Sequence, residues 1–507
     1  MAVAHISGAS DLEGSDRRLY RMLEMLPGSL AWVTLIGMVA LSAFRPIWAA
    51  VFIIVFDLYW LIKTAFLSIH LRAHWTRLQK NLSTDWQKKL DGLEWEHIWQ
   101  LVILPVYKES FEVVESSLEA ICKTSWPKDR MIIVLATEAR AGASAAELAV
   151  EVSEKYAKRF GHFLVTVHPA DLPGEMAGKG SNETYAAEKV ITAIIGPAGI
   201  AYESVLVSSF DIDTQVYPQY FSCLTYQFLT CEKPFRSSFQ PVPIYNNNIW
   251  DTPALSRVVA TSGTFWQMMQ QERPERLTTF SSHSMSLKSL VEVGFWQKNI
   301  VSEDSRIFWN HFFAYDGDYR VVPLAYPVSL DANLAESFWA TARNVYKQQR
   351  RWGWGVENVP YVLYNFIRNK KIPFRQKFFF TTVLLEGFWS WATNALLIFM
   401  LGWLPLFLGG KVFNETLLSY NLPRMTRYLM TFAMVGMVTS AITSTKLLPP
   451  RPEKYGKSRS FSMVIQWVLM PFTIIFFGTF PGLEAQTRIM LGGRWRLGFW
   501  VTPKHRK

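Results

Sequence analysis

Two apolar runs with one residue between them constrain this chain more than any other feature. Pro27–Phe44 ("PGSLAWVTLIGMVALSAF") and Pro46–Ile62 ("PIWAAVFIIVFDLYWLI") are separated only by Arg45. Each is long enough, or nearly so, to cross a hydrocarbon core of about 30 Å. The pair predicts a tight helical hairpin in a membrane. Arg17, Arg18 and Arg21 precede it, and Lys63, Arg72, Arg77 and Lys80 follow it. Lys and Arg gather on the cytoplasmic side of membrane segments, so both flanks are expected there. The first 26 residues are polar and lack the order of a cleavable signal peptide, so the hairpin is expected to stay.

Three further apolar stretches lie near the C-terminus, at Phe378–Leu401, Tyr428–Thr445 and Phe461–Phe480. "RNKKIPFRQK" (368–377) marks the cytoplasmic side before the first, and "KLLPPRPEKYGKSR" (446–459) marks it again after the second. Arg488, Arg494, Arg496, Lys504, Arg506 and Lys507 also ask to be inside, yet three simple passes would leave them outside. One stretch is then re-entrant or interfacial, and Pro471 and Pro481 point to the last. The expected organisation is a cytoplasmic tail (1–26), a membrane hairpin (27–66), a cytoplasmic domain (71–376), C-terminal membrane helices (377–485) and a basic tail (486–507), with the plasma membrane as the expected location.

The net charge of +11 suits anionic headgroups, nucleic acid or phosphorylated substrates. Because Lys and Arg crowd beside the apolar segments, membrane lipids account for most of the excess, and no nucleic-acid partner is expected. Cys122, Cys223 and Cys231 are an odd number without a CxxC pair, which argues against a disulfide framework or zinc site.

Between the membrane parts, short apolar runs alternate with longer helical patterns. "IWQLVILPVY" (98–107), "RMIIVLATEA" (130–139), "HFLVTVHP" (162–169) and "ESVLVSSFDID" (203–213) read as buried parallel strands. "SFEVVESSLEAICKTSW" (110–126) and "AGASAAELAVEVSEKYAKRF" (141–160) read as helices between them. The alternation predicts an α/β nucleotide-binding domain with a mostly parallel sheet, flanked by transmembrane helices. Ligands of such sheets sit at the carboxyl ends of strands, where Glu138, Asp211 and Asp213 fall.

"SSFDIDT" ends a strand-like run with Asp211 and Asp213, and strand alternation would point both side chains to one face. Two hard oxygen ligands suit Mg²⁺ or Mn²⁺, with phosphate oxygens completing the shell. A solvated strand end or a helix N-cap is the bland alternative. A phosphatase of the haloacid-dehalogenase type would use D-x-D-x-[TV], but here the residue two beyond Asp213 is Gln215. "VSEDSRIFW" (301–309) puts Glu303 and Asp304 at a helix start, where acids also serve as dipole partners; the functional reading makes Asp304 a general base. "GEMAGKGSNET" (174–184) is a glycine-bearing loop with Lys179 and Asn182, before a helix from about Glu183; it lacks the spacing of a P-loop. His283 has no second histidine at metal-ligand spacing and reads as a hydrogen-bonded loop residue. "YKQQRRWGWG" (346–355) offers Gln348, Arg351 and Trp352. An arginine fork grips diphosphate, and an indole packs on the C–H face of a sugar. An interfacial amphipathic helix would also carry Trp and Arg, the role expected for Arg350 and Trp354.

Strand-end acid, Lys–Gly loop, DxD, E-D and QxxRW follow one another inside a domain bracketed by membrane helices. This order resembles the membrane-integrated family 2 glycosyltransferases, the group of cellulose, chitin and hyaluronan synthases, over roughly residues 96–360. The resemblance implies a GT-A fold and an inverting hexosyltransferase that uses a nucleotide sugar, UDP by default. It implies that Asp211 and Asp213 contact the diphosphate and its metal, that Asp304 is the catalytic base, and that Lys179 sits near the donor. Gln348, Arg351 and Trp352 would close over the diphosphate and acceptor. The family usually has an Asp after the second strand to hold the nucleotide base; "LATEAR" leaves that work to Glu138. The acceptor implied is a growing polysaccharide, with single-sugar transfer to a lipid as the alternative. A nucleotide-sensing membrane protein or transporter is the non-enzyme alternative, disfavoured by some 300 residues of soluble α/β insert.

Overall fold

The computed structural model describes residues 5–498 and 500–502; within the helix Leu417–Lys446 the side chains at 433, 435 and 437–440 also lie outside the description. Lys504, Arg506 and Lys507 of the basic tail therefore fall outside the described residues.

The soluble part is built on one mixed, mostly parallel sheet of eight strands. These are β1 (Trp99–Pro105), β2 (Met131–Glu138), β3 (His162–His168), β4 (Val205–Ser209), β5 (Gln215–Val216), β6 (Ser237–Tyr245), β7 (Ser284–Ser286) and β8 (Arg320–Leu330), in the order β3-β2-β1-β4-β7-β6-β8-β5. The β3-β2-β1-β4 half is wholly parallel. It corresponds to the four apolar runs read from the sequence, but β3, expected to be buried, lies at the sheet edge, where it has a neighbour on one side only and is half-buried with Val167 exposed. Residues of β2 are buried along its full length, as continuous Ile, Val and Leu require between two helical layers. The winding reverses between β1 and β4, and such a switch point opens a crevice at the carboxyl ends of the strands.

The other half of the sheet is less regular. β7 runs antiparallel to β4 and to β6, whereas β6 and β8 are parallel, with a register shift between Gln240 and Val242. Pro241 lies in that shift, where its missing N–H costs no ladder bond. Pro243, Pro323 and Pro327 also interrupt these strands, which is why β6 and β8 do not stand out in the sequence.

Among the described residues four helices are long and apolar enough to cross a membrane: Gly14–Phe44, Pro46–Ser83, Phe374–Phe399 and Lys457–Leu491. The first begins thirteen residues before the apolar stretch it carries. Its polar first turns pack on the soluble part, where the rings of Tyr20 and Tyr364 meet edge-on at 5.4 Å. The stretch Tyr428–Thr445 lies in the 30-residue helix Leu417–Lys446, which packs along Pro46–Ser83. Lys457–Leu491 is broken where the sequence puts its prolines. It passes through a 3₁₀ turn (Gln466–Leu469) and a π turn (Ile475–Thr479) before its last α-helical segment, Phe480–Leu491. The Trp391 indole of the neighbouring span donates to the carbonyl of Gly478 at 2.9 Å, satisfying one backbone group freed by the π turn.

The helix Phe338–Gly353, which carries the QQRRW residues, is wedged between the soluble part and this last segment. Gly353 and Gly482 cross with their backbones almost touching, since a Cβ on Gly353 would lie 3.2 Å from Gly482 Cα. Glu484 fixes the crossing by accepting from Tyr346 at 2.8 Å and from Arg350 and Arg488 at 2.7 Å each. Arg350 thus holds a membrane helix rather than lipid headgroups, and Trp354 is buried rather than interfacial.

A methyl group at Gly482 would meet Trp391 at 2.8 Å, and Trp391 is pinned by its bond to Gly478. Gly482→Ala is expected to cost about 1–3 kcal/mol and to lower the melting midpoint of the detergent-solubilised protein. Gly37→Ala, where nothing lies within 4 Å, should not.

Candidate active site

The acids after β4 are not on a strand. β4 ends at Ser209, and Ile212 and Asp213 form a turn. Alternation therefore does not apply, and the two carboxylates have different surroundings. Asp211 is partly exposed to the crevice; its Oδ1 accepts from Lys179 at 3.0 Å and its Oδ2 from Ser281 at 2.6 Å. Asp213 is buried, and its Oδ2 accepts from the backbone N–H of Asp331 at 3.0 Å. This corrects the expectation that both side chains share a face by strand pleating.

Lys179 is the centre of the arrangement. It opens the helix Lys179–Val190, four residues earlier than the pattern suggested. Its ammonium reaches Asp211 Oδ1 at 3.0 Å, Asp304 Oδ1 at 2.9 Å and Glu183 Oε1 at 3.8 Å. Burial alone would lower its pKa, but the charges of Asp211 and Asp304 outweigh burial and hold it well above the ordinary lysine value. Asn182 ties the same helix to the end of β2 by donating to the carbonyl of Ala136 at 2.7 Å.

Asp304 stands in the first turn of the helix Glu303–Ala314. The two helix starts meet at Gly180, where a Cβ would lie 2.7 Å from the Gln297 carbonyl and 3.0 Å from Glu303 Cβ. The second glycine of "GKG" is therefore a requirement of close approach, not of loop flexibility. Two helix N-termini converge on the acids, and their dipoles favour negative charge there. Thr279 donates to the Asp304 carbonyl at 2.5 Å.

The Arg351 helix is tied to the Asp304 helix behind the site. Glu357 Oε1 accepts from the N–H groups of Val301 and Ser302 at 3.1 and 2.9 Å and from the Ser302 hydroxyl at 2.7 Å. Its Oε2 accepts from the Trp354 indole at 3.0 Å. Arg306, fully buried, donates to Asn358 at 2.6 Å and to Gln297 at 2.9 Å, and its guanidinium lies 3.9 Å over the Tyr361 ring.

Tyr245, at the end of β6, links the remaining groups. Its ring lies 6.0 Å from that of Trp352, which also meets Phe280 edge-on at 5.8 Å. Burial, then the charges of Asp211 and Asp213, hold the phenol well above its ordinary pKa, while Arg351 opposes them. Gln348 and Trp352 line a small cleft with Tyr245 and Asp331. Lys179, Asp211 and Asp304 thus touch directly, and Asp213, Arg351, Trp352 and Gln348 gather around Tyr245. Glu138 stands apart at the end of β2, paired with Arg140, whose guanidinium lies 4.4 Å over the Tyr107 ring.

Tyr245, Glu183, Ser281 and Tyr107 join the site only through the fold. His283 belongs to it too. Its Nδ1 is 3.8 Å from Asp304 Oδ1 and bonds the Phe280 carbonyl at 2.9 Å, while the Trp296 indole donates to its Nε2 at 3.3 Å. That pattern assigns a neutral ring protonated on Nδ1. Burial lowers its pKa to about 4. Among the described residues no group of three His, Cys, Asp or Glu forms a ready metal shell.

No protein-family model matches the chain, and no curated protein matches it. Solved structures give distant likenesses. A mannosyltransferase from Pyrobaculum calidifontis, in complex with GDP-Man and Mn²⁺, is 13% identical, with 84% of this chain and 99% of that one covered, at a TM-score of 0.38. S. aureus TarS 1–349 in complex with UDP-GlcNAc is 11% identical, with 79% and 93% covered, at a TM-score of 0.36. Likenesses of this size fix neither fold nor activity.

The buried acid Glu183 gives the site a pH signature. Burial raises its pKa to about 8 from an ordinary 4.5, Lys179 opposing and Asp304 adding to the rise, while Ser209 donates to it at 2.6 Å. The folded state therefore keeps a proton that the unfolded chain has lost, and stability falls as pH rises from 4.5 to 8. Glu183→Gln removes this slope. Between pH 5 and 9 the melting midpoint of Glu183→Gln should gain on that of the wild type. A difference that stays constant across this range would remove the assignment.

Proposed function

We propose that the chain is an inverting glycosyltransferase of the GT-A type, transferring a hexose from a nucleotide sugar to a sugar hydroxyl of a growing polysaccharide at the cytoplasmic face of the membrane. The observation that carries the reading is the ion cluster of Asp211, Lys179 and Asp304 at the carboxyl ends of parallel strands, with Trp352 and Arg351 brought to it through Tyr245.

In this reading the diphosphate lies between the turn after β4 and the Arg351 helix. Lys179 and Arg351 offset charge developing on the leaving group. The donor set fits a divalent cation, since Mg²⁺ and Mn²⁺ are commonly held by one or two carboxylates plus substrate phosphates, here Asp211 and Asp213. When bound, the cation would neutralise charge on the diphosphate. Asp304 accepts the proton of the acceptor hydroxyl as it attacks the anomeric carbon. Lys179, bonded to it at 2.9 Å, holds that carboxylate in place. Trp352 offers an indole face to the acceptor sugar, and Gln348 a planar amide beside it. Glu138, with Arg140 and Tyr107, holds the nucleoside end, with uridine the default.

The test is a screen of UDP- and GDP-sugars for nucleotide release by purified protein, with mass spectrometry of the product. Asp304→Asn should lower turnover by about 10²–10⁴ while donor affinity stays near that of the wild type. EDTA should abolish turnover and Mn²⁺ or Mg²⁺ restore it. Near-normal turnover in Asp304→Asn would leave Asp304 as a helix-start residue, and full activity in EDTA would remove the cation.

A further inference from the structure

A second cavity, of about 600 Å³, lies outside the site. Its volume is in the range of about 300–1,000 Å³ that bound small molecules occupy. Leu277, Phe308, Phe379 and Phe380 form its apolar walls, and Arg320 and Arg375 stand among its lining residues. Arg320 pairs with Glu232 at 3.3 Å. Glu275, the carboxylate in the lining, is taken by Arg273 at 2.6 Å. Among the described residues no carboxylate pairs with Arg375, which is exposed.

The groove is continuous with the membrane surface of the chain. Phe379 and Phe380 belong to the candidate span Phe374–Phe399, and beside them Phe374 and Phe378 are 80% and 64% exposed. On the other side, the segment from Arg273 to Leu277 is held against the candidate span Pro46–Ser83, with the Arg273 guanidinium 5.5 Å over the Phe66 ring. Lys370, Lys371, Arg375 and Lys377 place this level at the basic, headgroup side of the span.

We propose that this groove holds a hydrocarbon chain of an anionic phospholipid from the bilayer, with the lipid phosphate on Arg375. The walls match a chain and offer little to a nucleotide or sugar. A guanidinium fork is suited to a phosphate, and among the described residues no carboxylate pairs with this one. The exposed Phe374 and Phe378 give a lateral path from the lipid, so the chain need not cross water. The groove also reaches the helix of Asp304, because Phe308 is one turn beyond Asp304 and faces the same side. Leu277 is two residues before Thr279, which holds the Asp304 carbonyl. An occupied groove packs on that helix one turn along from Asp304. The site is independent of the catalytic reading, because it can be measured without turnover.

The experiment is native mass spectrometry of the full chain in detergent, incubated with phosphatidylglycerol or phosphatidylcholine of the same chain length. The wild type should retain one phosphatidylglycerol in preference to phosphatidylcholine by about tenfold, the ratio one charge-assisted contact supports. Arg375→Glu, an exposed change that should fold, should bring retention down to the phosphatidylcholine level. Leu277→Trp, which fills the groove, should lose both lipids; its melting midpoint shows whether it is folded, and if it is not, Arg375→Glu decides alone. Equal retention of the two lipids, unchanged retention in Arg375→Glu, or retention by a folded Leu277→Trp would overturn the proposal. So would a lipid-free mass of two chains, which would mean that a second copy covers the groove.

Discussion

The contact of the Lys179 ammonium with Asp211 and Asp304, at 3.0 and 2.9 Å, is the interaction on which the rest of the site depends. The two acids arrive from opposite directions. One follows a parallel strand and the other opens a helix more than 90 residues later. Without a cation between them, two carboxylates this close to one point would repel. Lys179 is buried, and a buried ammonium persists only where partners offset its lost hydration. The acids and the lysine therefore require one another. Gly180 makes the geometry possible, because any larger residue there would drive the two helix starts apart.

The same centre is tied to the candidate membrane spans through one continuous path. Glu357 caps the Asp304 helix, and it follows directly on the helix that carries Arg351 and Trp352. That helix crosses the last membrane segment at Gly353 and Gly482 and is fixed to it by Glu484. A shift of the membrane segment would thus move Arg351, Trp352 and the cap of the Asp304 helix together. The arginines and tryptophans of "QQRRWGWG" divide this labour. Trp352 and Arg351 face the site, whereas Arg350 and Trp354 hold the neighbouring helices.

How far the fold could be read from the sequence follows from the same physics. β1, β2 and β4 are buried on both faces, so continuous apolar runs announce them, whereas β3, at the sheet edge, is only half-buried yet keeps an apolar run. β6 and β8 contain four prolines, tolerated at a register shift and along an irregular ladder, and no local pattern reveals them. The DxD acids were legible as a pair but not in orientation, because β4 stops two residues before Asp211. Lys179 stood out for its glycines, yet its role as a bridge needs Asp304, distant in the chain. Tyr245 and Glu183 carry no local signal. A buried glutamate in a helix and a tyrosine at a strand end are ordinary until the fold sets charges beside them. His283 read as a hydrogen-bonded loop residue, and it is one; its place 3.8 Å from Asp304 belongs to the tertiary structure alone.

The charge balance of the crevice bears on what it can accept. Asp211, Asp213, Asp304 and Asp331 are the carboxylates at or beside Tyr245, and Lys179 and Arg351 are the cations. Burial raises the pKa values of Glu183 and Glu303, which favours their neutral forms and keeps two further negative charges from the centre. Even so, acids outnumber bases. A diphosphate brings more negative charge into a region where desolvation strengthens every interaction. It can lie against Asp211 and Asp213 only if a cation enters with it, or if Lys179 leaves one acid to meet it. The second course would expose Asp304 or Asp211 to unshielded repulsion from the phosphates. The first leaves the lysine bridge intact. Under the proposed function, the charges of this crevice therefore suit a diphosphate accompanied by a cation better than a bare anion.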